Sequence, residues 1–197
     1  MRCIIVGDGP SAQGFVPPAG VTVFAVKRTI HWLSRADYWF TLDPNADSVR
    51  IMLKQKPGVK YVCACDDVTR IPAGVTKMRR KVSREQEPAE QGGPHWWAWR
   101  WGAVFGLSDT PGTIHTGNSA YGALGLAYLL GYRSALLVGV DGTQDARQSD
   151  VKEPNNLSHL PLLFQSAKNQ VDIATVGTMD GIPSTTLADW LAATSTH

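Results

Sequence analysis

Two short segments rich in glycine and in hydroxyl side chains have the composition of anion-binding loops. Gly7-Asp8-Gly9-Pro10-Ser11 follows the apolar run Cys3–Val6, and Thr116-Gly117-Asn118-Ser119 opens a long apolar segment. In turns of this kind, and at the first turn of a helix, backbone N–H groups lack partners and face outward, so a phosphate can approach them. Two such segments in one small chain predict a single nucleotide or phosphate cleft at which both converge.

Two aspartates stand where predicted strands end. Asp43 follows the strand predicted over 38–42, and Asp141 follows the strand predicted over 134–140. Ligands of a parallel sheet bind beyond the carboxyl ends of its strands, although Asp-Pro and Asp-Gly are also ordinary turn sequences. We therefore predict a catalytic role for Asp141 and assign the remaining residues to the nucleotide: Gly7, Asp8, Gly9, Pro10, Ser11, Asp43, Thr116, Gly117, Asn118 and Ser119.

His159 is the predicted catalytic acid or base. It stands at a junction between a polar loop, 143–156, and a predicted helix, where a side chain can reach a cleft. An imidazole pKa near ~6.5 suits proton transfer at neutral pH. The alternative is a histidine without a catalytic task at the start of a helix, beside Ser158 as N-cap. His115 is a second candidate, in a position that a strand would bury.

The glycine segment at Gly7 does not match the two common phosphate-binding motifs. A third glycine at the spacing of the dinucleotide fingerprint is absent, and so is the Gly-Lys-Ser/Thr ending of a P-loop. The segment therefore indicates a phosphate site without indicating which nucleotide is bound.

Four of the seven tryptophans lie between Trp96 and Trp101. Trp97, Trp99 and Trp101 alternate as they would on one face of a strand, and such aromatic clusters most often pack in a core. A lid that stacks on a base or a sugar ring is the alternative interpretation.

Strands alternate with helices along the chain, and most of the strands are apolar on both faces. This pattern predicts an α/β fold, with one Rossmann-like domain over 1–197 and a mostly parallel sheet covered by helices on both faces. Residues from about 66 to 112 are hard to assign and are expected to form an irregular insertion or lid, within which 71–82 could form an outer pair of strands. A helix is predicted from Asn118 or Ser119 to Leu130, closed by Gly131.

The composition limits the partners of the chain. A net charge of +2 over 197 residues does not indicate nucleic acid, and the basic run Lys77–Lys81 is typical of a solvated strand or loop. No apolar stretch reaches the ~18 residues of a membrane span. Three cysteines without metal-ligand spacing favour a reducing, cytoplasmic location. The sequence leaves open whether the chain forms a homo-oligomer.

The same residues carry a resemblance to a known group. Gly7–Ser11 resembles the Gly-Asn-Gly-Pro-Ser of bacterial lipooligosaccharide sialyltransferases, a motif shared with hydroxymethyldihydropterin diphosphokinases. The block that runs from Thr116–Tyr121 through Leu130–Tyr132 to Gly139–Asp141 is similar to their Thr-Ser-Gly, helix, Leu-Gly-Tyr, strand, Gly-Ile-Asp block. Asn156–His159 resembles the position of the general-base histidine of the sialyltransferases. The chain as a whole looks most like phage-encoded proteins labelled "norphogenetic".

The resemblance implies a glycosyltransferase-like enzyme that uses a nucleotide-activated donor, such as a nucleotide sugar. His159 would then deprotonate the hydroxyl of an acceptor, with the nucleotide held between the two glycine segments and Asp43. A phage-encoded enzyme of this kind would act in the cytoplasm of the host.

The chain departs from the sialyltransferases at two places. Asp8 replaces an amide, so a carboxylate would face a phosphate unless Mg²⁺ bridges them. The segment 143–156 contains no tyrosine, whereas the sialyltransferases have tyrosines there that steady the leaving phosphate. Two other functions therefore stay open: Mg²⁺-dependent pyrophosphoryl or nucleotidyl transfer from ATP, with Asp8, Asp43 or Asp141 holding the metal, and a non-catalytic phage structural or regulatory protein.

Overall fold

The computed structural model describes residues 1–142 and 156–193, which build one eight-stranded parallel sheet with helices on both faces. The strands are β1 (Arg2–Val6), β2 (Thr22–Val26), β3 (Tyr38–Thr41), β4 (Lys60–Ala64), β5 (Thr76–Lys81), β6 (Thr113–His115), β7 (Ser134–Val138) and β8 (Asp172–Thr175). The helices are α1 (Ala46–Leu53), α2 (Pro94–Arg100), α3 (Ser119–Leu129), α4 (Leu160–Ser166) and α5 (Leu187–Ala192). The predicted α/β Rossmann-like class is confirmed.

The central strands consist of consecutive apolar residues because both of their faces are covered. In β1, Cys3 and Ile5 pack in the core layer that contains residues of α2, α3 and α4. Ile4 and Val6 pack in the opposite layer, against residues of α1 and α5. Successive strand side chains point to opposite faces, so a strand buried on both sides needs apolar residues at every position.

The strand order places a topological switch point next to β1. The sheet runs β6-β5-β4-β3-β2-β1-β7-β8, so the chain moves outward from β1 to β6 and then returns to the other side of β1. Cys3 is in register with Thr22 of β2 and with Ala135 of β7. In open α/β sheets the crevice beyond such a switch point is where ligands bind.

Helix α3 makes the return crossing from β6 to β7 and packs closely on the sheet. Its residues from Ser119 to Ala127 are all buried. Asn118 caps the helix, with its side-chain oxygen accepting from the backbone N–H of Ala120 at 2.7 Å. A Cβ atom at Gly122 would lie 2.7 Å from the ring of Phe40, so this glycine lets the helix approach β3.

The middle of the chain is more regular than its sequence indicates. Thr76–Lys81 forms a strand of the main sheet, and Pro94–Arg100 forms α2. The expected strand through the tryptophans is wrong, because Gly93 and Pro94 start a helix there. Trp97 and Trp101 consequently lie four residues apart on one helix face, with ring centroids 6.4 Å apart.

None of the helices in residues 1–142 and 156–193 combines the length and the apolar character needed to cross a bilayer.

We expect the two glycines inside α3 to respond differently to the same substitution. Gly122→Ala should lower the free energy of unfolding by about 1–3 kcal/mol, because the new methyl group overlaps Phe40. The new methyl group of Gly125→Ala would contact only Ile114, at 3.7 Å, which is an ordinary van der Waals distance. This substitution should stabilise the protein by up to about 1 kcal/mol, because alanine has a higher helix propensity than glycine. Urea denaturation measures both values, and equal effects would contradict the close packing of α3 on β3.

Candidate functional site

A cavity of about 230 Å³ opens at the carboxyl ends of β1, β2 and β7. The N-terminal ends of α1 and α3 complete its wall, so it lies at the side of the sheet where the switch point is. The predicted site residues on this wall are Gly7, Asp8, Gly9, Pro10, Asn118, Ser119 and Asp141. The structure thus brings the two glycine segments to one cavity.

The loop after β1 packs directly against the loop after β7. The N–H groups of Gly7 and Gly9 donate to the carbonyls of Val138 and Gly139, both at 2.8 Å. A Cβ atom at Gly7 would lie 2.3 Å from the carbonyl oxygen of Gly139, which leaves no room for a side chain. The expectation that these glycine amides face an anion is therefore wrong, because they hold two loops of the protein together.

The side chains of Asp141 and Ser11 connect the same two loops by hydrogen bonds. The N–H of Ser11 donates to Asp141 Oδ2 at 3.0 Å, and the N–H of Gly139 donates to Ser11 Oγ at 2.8 Å. A Cβ atom at Gly177 would lie 1.7 Å from Asp141 Oδ1, so the loop after β8 covers this carboxylate closely. We name the mutual packing of Gly7–Ser11 and Gly139–Asp141 the loop clasp.

The start of α3 lies on the cavity wall and carries a backbone donor without an acceptor in the described part of the chain. Asn118 occupies the cap, and the backbone N–H of Ser119 has no acceptor among the described residues. The hydroxyl of Ser119 accepts from the N–H of Leu42 at 3.3 Å and so ties the helix start to the end of β3. An anion in the cavity would meet the positive end of an 11-residue helix.

Charged side chains that the sequence reasoning did not select complete the wall. Lys27 and Arg28 follow β2, and Asp47 lies in the first turn of α1. Arg28 pairs with Asp47, and Lys27 Nζ lies 3.5 Å from Asp43 Oδ2. The run Val21–Val26, rich in β-branched residues, is the signal in the sequence that would have found them, because the rule that selected Asp43 and Asp141 applies equally to the end of β2.

Asp8 brings a carboxylate to the cavity wall. Its Oδ1 accepts from the indole N–H of Trp32 at 3.1 Å, which fixes the orientation of the side chain. The described residues contain no cluster of three or more His, Cys, Asp or Glu side chains that could hold a metal ion. A Mg²⁺ ion here would therefore take Asp8 together with oxygens of a bound phosphate, which is a common coordination for this ion.

Several predicted site residues lie near the cavity without forming its wall. Asp43 accepts from Lys27 Nζ and from Asn45 Nδ2, the latter at 3.1 Å. Thr116 is buried, and its hydroxyl has no hydrogen-bond partner among the described residues. The predicted residues outside the wall are Ser11, Asp43, Thr116, Gly117 and His159.

His159 is enclosed, with 1% of its surface exposed. Its Nε2 lies 3.4 Å from the carbonyl oxygen of Gly117, and its Nδ1 is buried without a partner among the described residues. Burial lowers the pKa of this imidazole below 6.5, with the Gly117 carbonyl opposing the shift. Leu157 and Leu160 on either side of it do reach the cavity wall, so His159 lies just behind that wall.

His115 occupies a different part of the molecule. Its Nδ1 lies 2.7 Å from the carbonyl oxygen of Gly106, away from the cavity, and burial again lowers its pKa. Of the polar segment 143–156, only Asn156 lies within the described residues, so the comparison with the tyrosines of the sialyltransferases falls outside them.

A scan against protein-family models, a search of curated proteins and a search of solved structures each found no match to this chain.

We predict that Asp141→Ala weakens the fold more than Asp141→Asn. The alanine variant leaves the N–H of Ser11 without its acceptor and should cost about 1–3 kcal/mol, whereas the asparagine oxygen can still accept that hydrogen bond. Urea denaturation of both variants tests this. Equal losses would show that the negative charge of Asp141, rather than the hydrogen bond, holds the loops together.

We also expect the free energy of unfolding to fall as the pH drops below 6.5. The folded pKa values of His159 and His115 lie below the unfolded value of 6.5, so the unfolded chain binds protons first on acidification. Urea midpoints between about pH 8 and about pH 5 measure this loss. His159→Gln should reduce the dependence of the urea midpoint on pH. A pH dependence equal to that of the wild type would contradict a buried neutral His159.

Proposed function

We propose that this protein is a transferase that binds a nucleotide-activated donor, of the nucleotide-sugar kind, in the cavity beyond β1, β2 and β7. The observation that carries the proposal is that the start of α3, with the N–H of Ser119, and the cations Lys27 and Arg28 lie on one cavity, which the loop clasp also lines. This combination suits a phosphorylated ligand, which needs backbone donors and positive charge in the same place.

The start of α3 is the proposed phosphate subsite. The N–H of Ser119 is available as a donor, and the partial positive charge at the helix start favours an anion. As the bond to the donor phosphate breaks, negative charge builds up on the leaving nucleotide. Donors held in place beforehand stabilise this charge by up to several kcal/mol, about 2.7–4 for a single donor.

His159 is the proposed general base, in line with the sequence prediction. Burial keeps its imidazole neutral at neutral pH, and Nδ1 has no partner among the described residues that would compete for a proton. Leu157 and Leu160, on either side of His159 in the sequence, lie on the cavity wall, and we place the approach of the acceptor hydroxyl to Nδ1 at this side. The proton would then pass from the hydroxyl oxygen to Nδ1 as that oxygen attacks the donor.

Asp8 favours a second candidate, Mg²⁺-dependent pyrophosphoryl or nucleotidyl transfer from ATP. A carboxylate on the wall of a phosphate site repels the ligand unless a cation lies between them. Mg²⁺ held by Asp8 and the phosphates would neutralise the charge that develops in such a reaction.

Binding of nucleotides with and without Mg²⁺ tests the proposal and separates the two candidates. We expect one or more of CMP, UDP, GDP, ATP and their sugars to raise the melting temperature of the protein, since a ligand at a concentration 100 times its Kd adds about 2.7 kcal/mol of stability. Asp8→Asn should strengthen metal-free binding several-fold, because two unit charges about 4 Å apart repel by about 1 kcal/mol even in water.

Asp180→Asn is the matched control, because Asp180 is exposed and lies outside the cavity wall. If no nucleotide raises the melting temperature of the wild type in either condition, the donor site does not exist. Formation of AMP from ATP, with activity lost in EDTA, would favour the second candidate. Binding without turnover of any donor would favour a non-catalytic protein that keeps the fold.

A further inference from the structure

Lys27 has an unusual backbone conformation at the edge of the cavity. Its φ of 53° makes it the single non-glycine residue with positive φ among residues 1–142 and 156–193. Glycine and asparagine adopt this left-handed conformation more readily than lysine does. The backbone conformation therefore does not favour a lysine at this position, whereas a function of its side chain would account for it.

A buried tryptophan holds Lys27 in this conformation. The indole N–H of Trp39, which is fully buried in β3, donates to the carbonyl oxygen of Lys27 at 2.7 Å. The 3-10 turn Lys27–His31 begins at the same residue, directly after β2. The main chain at Lys27 is thus fixed by the core, and strain of this kind persists where the surrounding structure determines it, often at ligand sites.

The ion pair of Lys27 with Asp43 and that of Arg28 with Asp47 are both partly exposed to solvent. Lys27 Nζ lies 3.5 Å from Asp43 Oδ2, and 38% and 53% of these two side chains are exposed. Arg28 pairs with Asp47, where the exposed fractions are 43% and 42%. Ion pairs that are this exposed contribute little to stability, so a phosphate group can replace the carboxylates without a large cost.

We propose that Lys27, assisted by Arg28, binds a second phosphate of the ligand, so that the donor belongs to the nucleoside diphosphate class rather than the monophosphate class. This inference rests on the proposed function. One phosphate lies at the start of α3, and the next lies at the end of β2, because both elements form walls of the same cavity. The ammonium of Lys27 and the guanidinium of Arg28 then leave Asp43 and Asp47 for the ligand.

Titration of paired nucleotides tests the inference. Calorimetry with CMP and CDP, UMP and UDP, GMP and GDP, and AMP and ADP should show that the wild type binds a diphosphate about tenfold more tightly than its monophosphate, as expected for one charge-assisted contact. Lys27→Asn should abolish this preference. It should weaken binding of the diphosphate about tenfold and leave the affinity for the monophosphate unchanged. Lys54→Asn, at an exposed position outside the cavity wall, should retain it.

The folding of the variants is measured alongside. Asparagine tolerates the left-handed conformation, so Lys27→Asn should keep or raise the urea midpoint, and Arg28→Gln provides a second variant at the same subsite. If Lys27→Asn weakens the binding of monophosphates and diphosphates equally, or changes neither affinity, the assignment of Lys27 is overturned. The proposed nucleotide site would not be affected by that result. If the wild type binds none of the nucleotides, the proposed function and this inference both fail.

Discussion

The contact between the backbones of Gly7 and Gly139 determines the shape of the site. Each residue would place a Cβ atom within 2.4 Å of the other's carbonyl oxygen, so the two loops can meet only if both residues are glycine. Gly139 also adopts a φ of 64°, which a side chain would disfavour. Because β1 and β7 are neighbours at the switch point, this contact closes the floor of the cavity and aligns the loops that carry Asp8 and Asp141.

The cavity combines both signs of charge. Asp8, Asp47 and Asp141 stand on the same wall as Lys27 and Arg28, and two helix starts add partial positive charge. Each carboxylate has a partner, since Asp141 Oδ2 accepts from the N–H of Ser11, Asp8 Oδ1 accepts from Trp32, and Asp47 pairs with Arg28. Asp141 Oδ1, in contrast, is buried without a hydrogen-bond partner among the described residues. In the proposed function, a ligand would meet the N–H of Ser119 at a fixed place on the wall and would have to open the exposed ion pair of Lys27 and Asp43.

How much the sequence predicts depends on whether a feature is local. The strands and α3 follow from apolar runs and from the cap at Asn118, which are properties of neighbouring residues. The partners of the Gly7 and Gly9 amides lie more than a hundred residues away, so nothing in the loop reveals that they are occupied. The tryptophans of α2 alternate like strand residues, and only Pro94 indicates the helix.

The most direct test of the account is a structure of the protein with a nucleoside diphosphate bound. We predict one phosphate at the N–H of Ser119 and the other beside Lys27, with Lys27 turned away from Asp43. Phosphates bound at any other surface, with the ion pair of Lys27 and Asp43 unchanged, would contradict a nucleotide site beyond β1, β2 and β7.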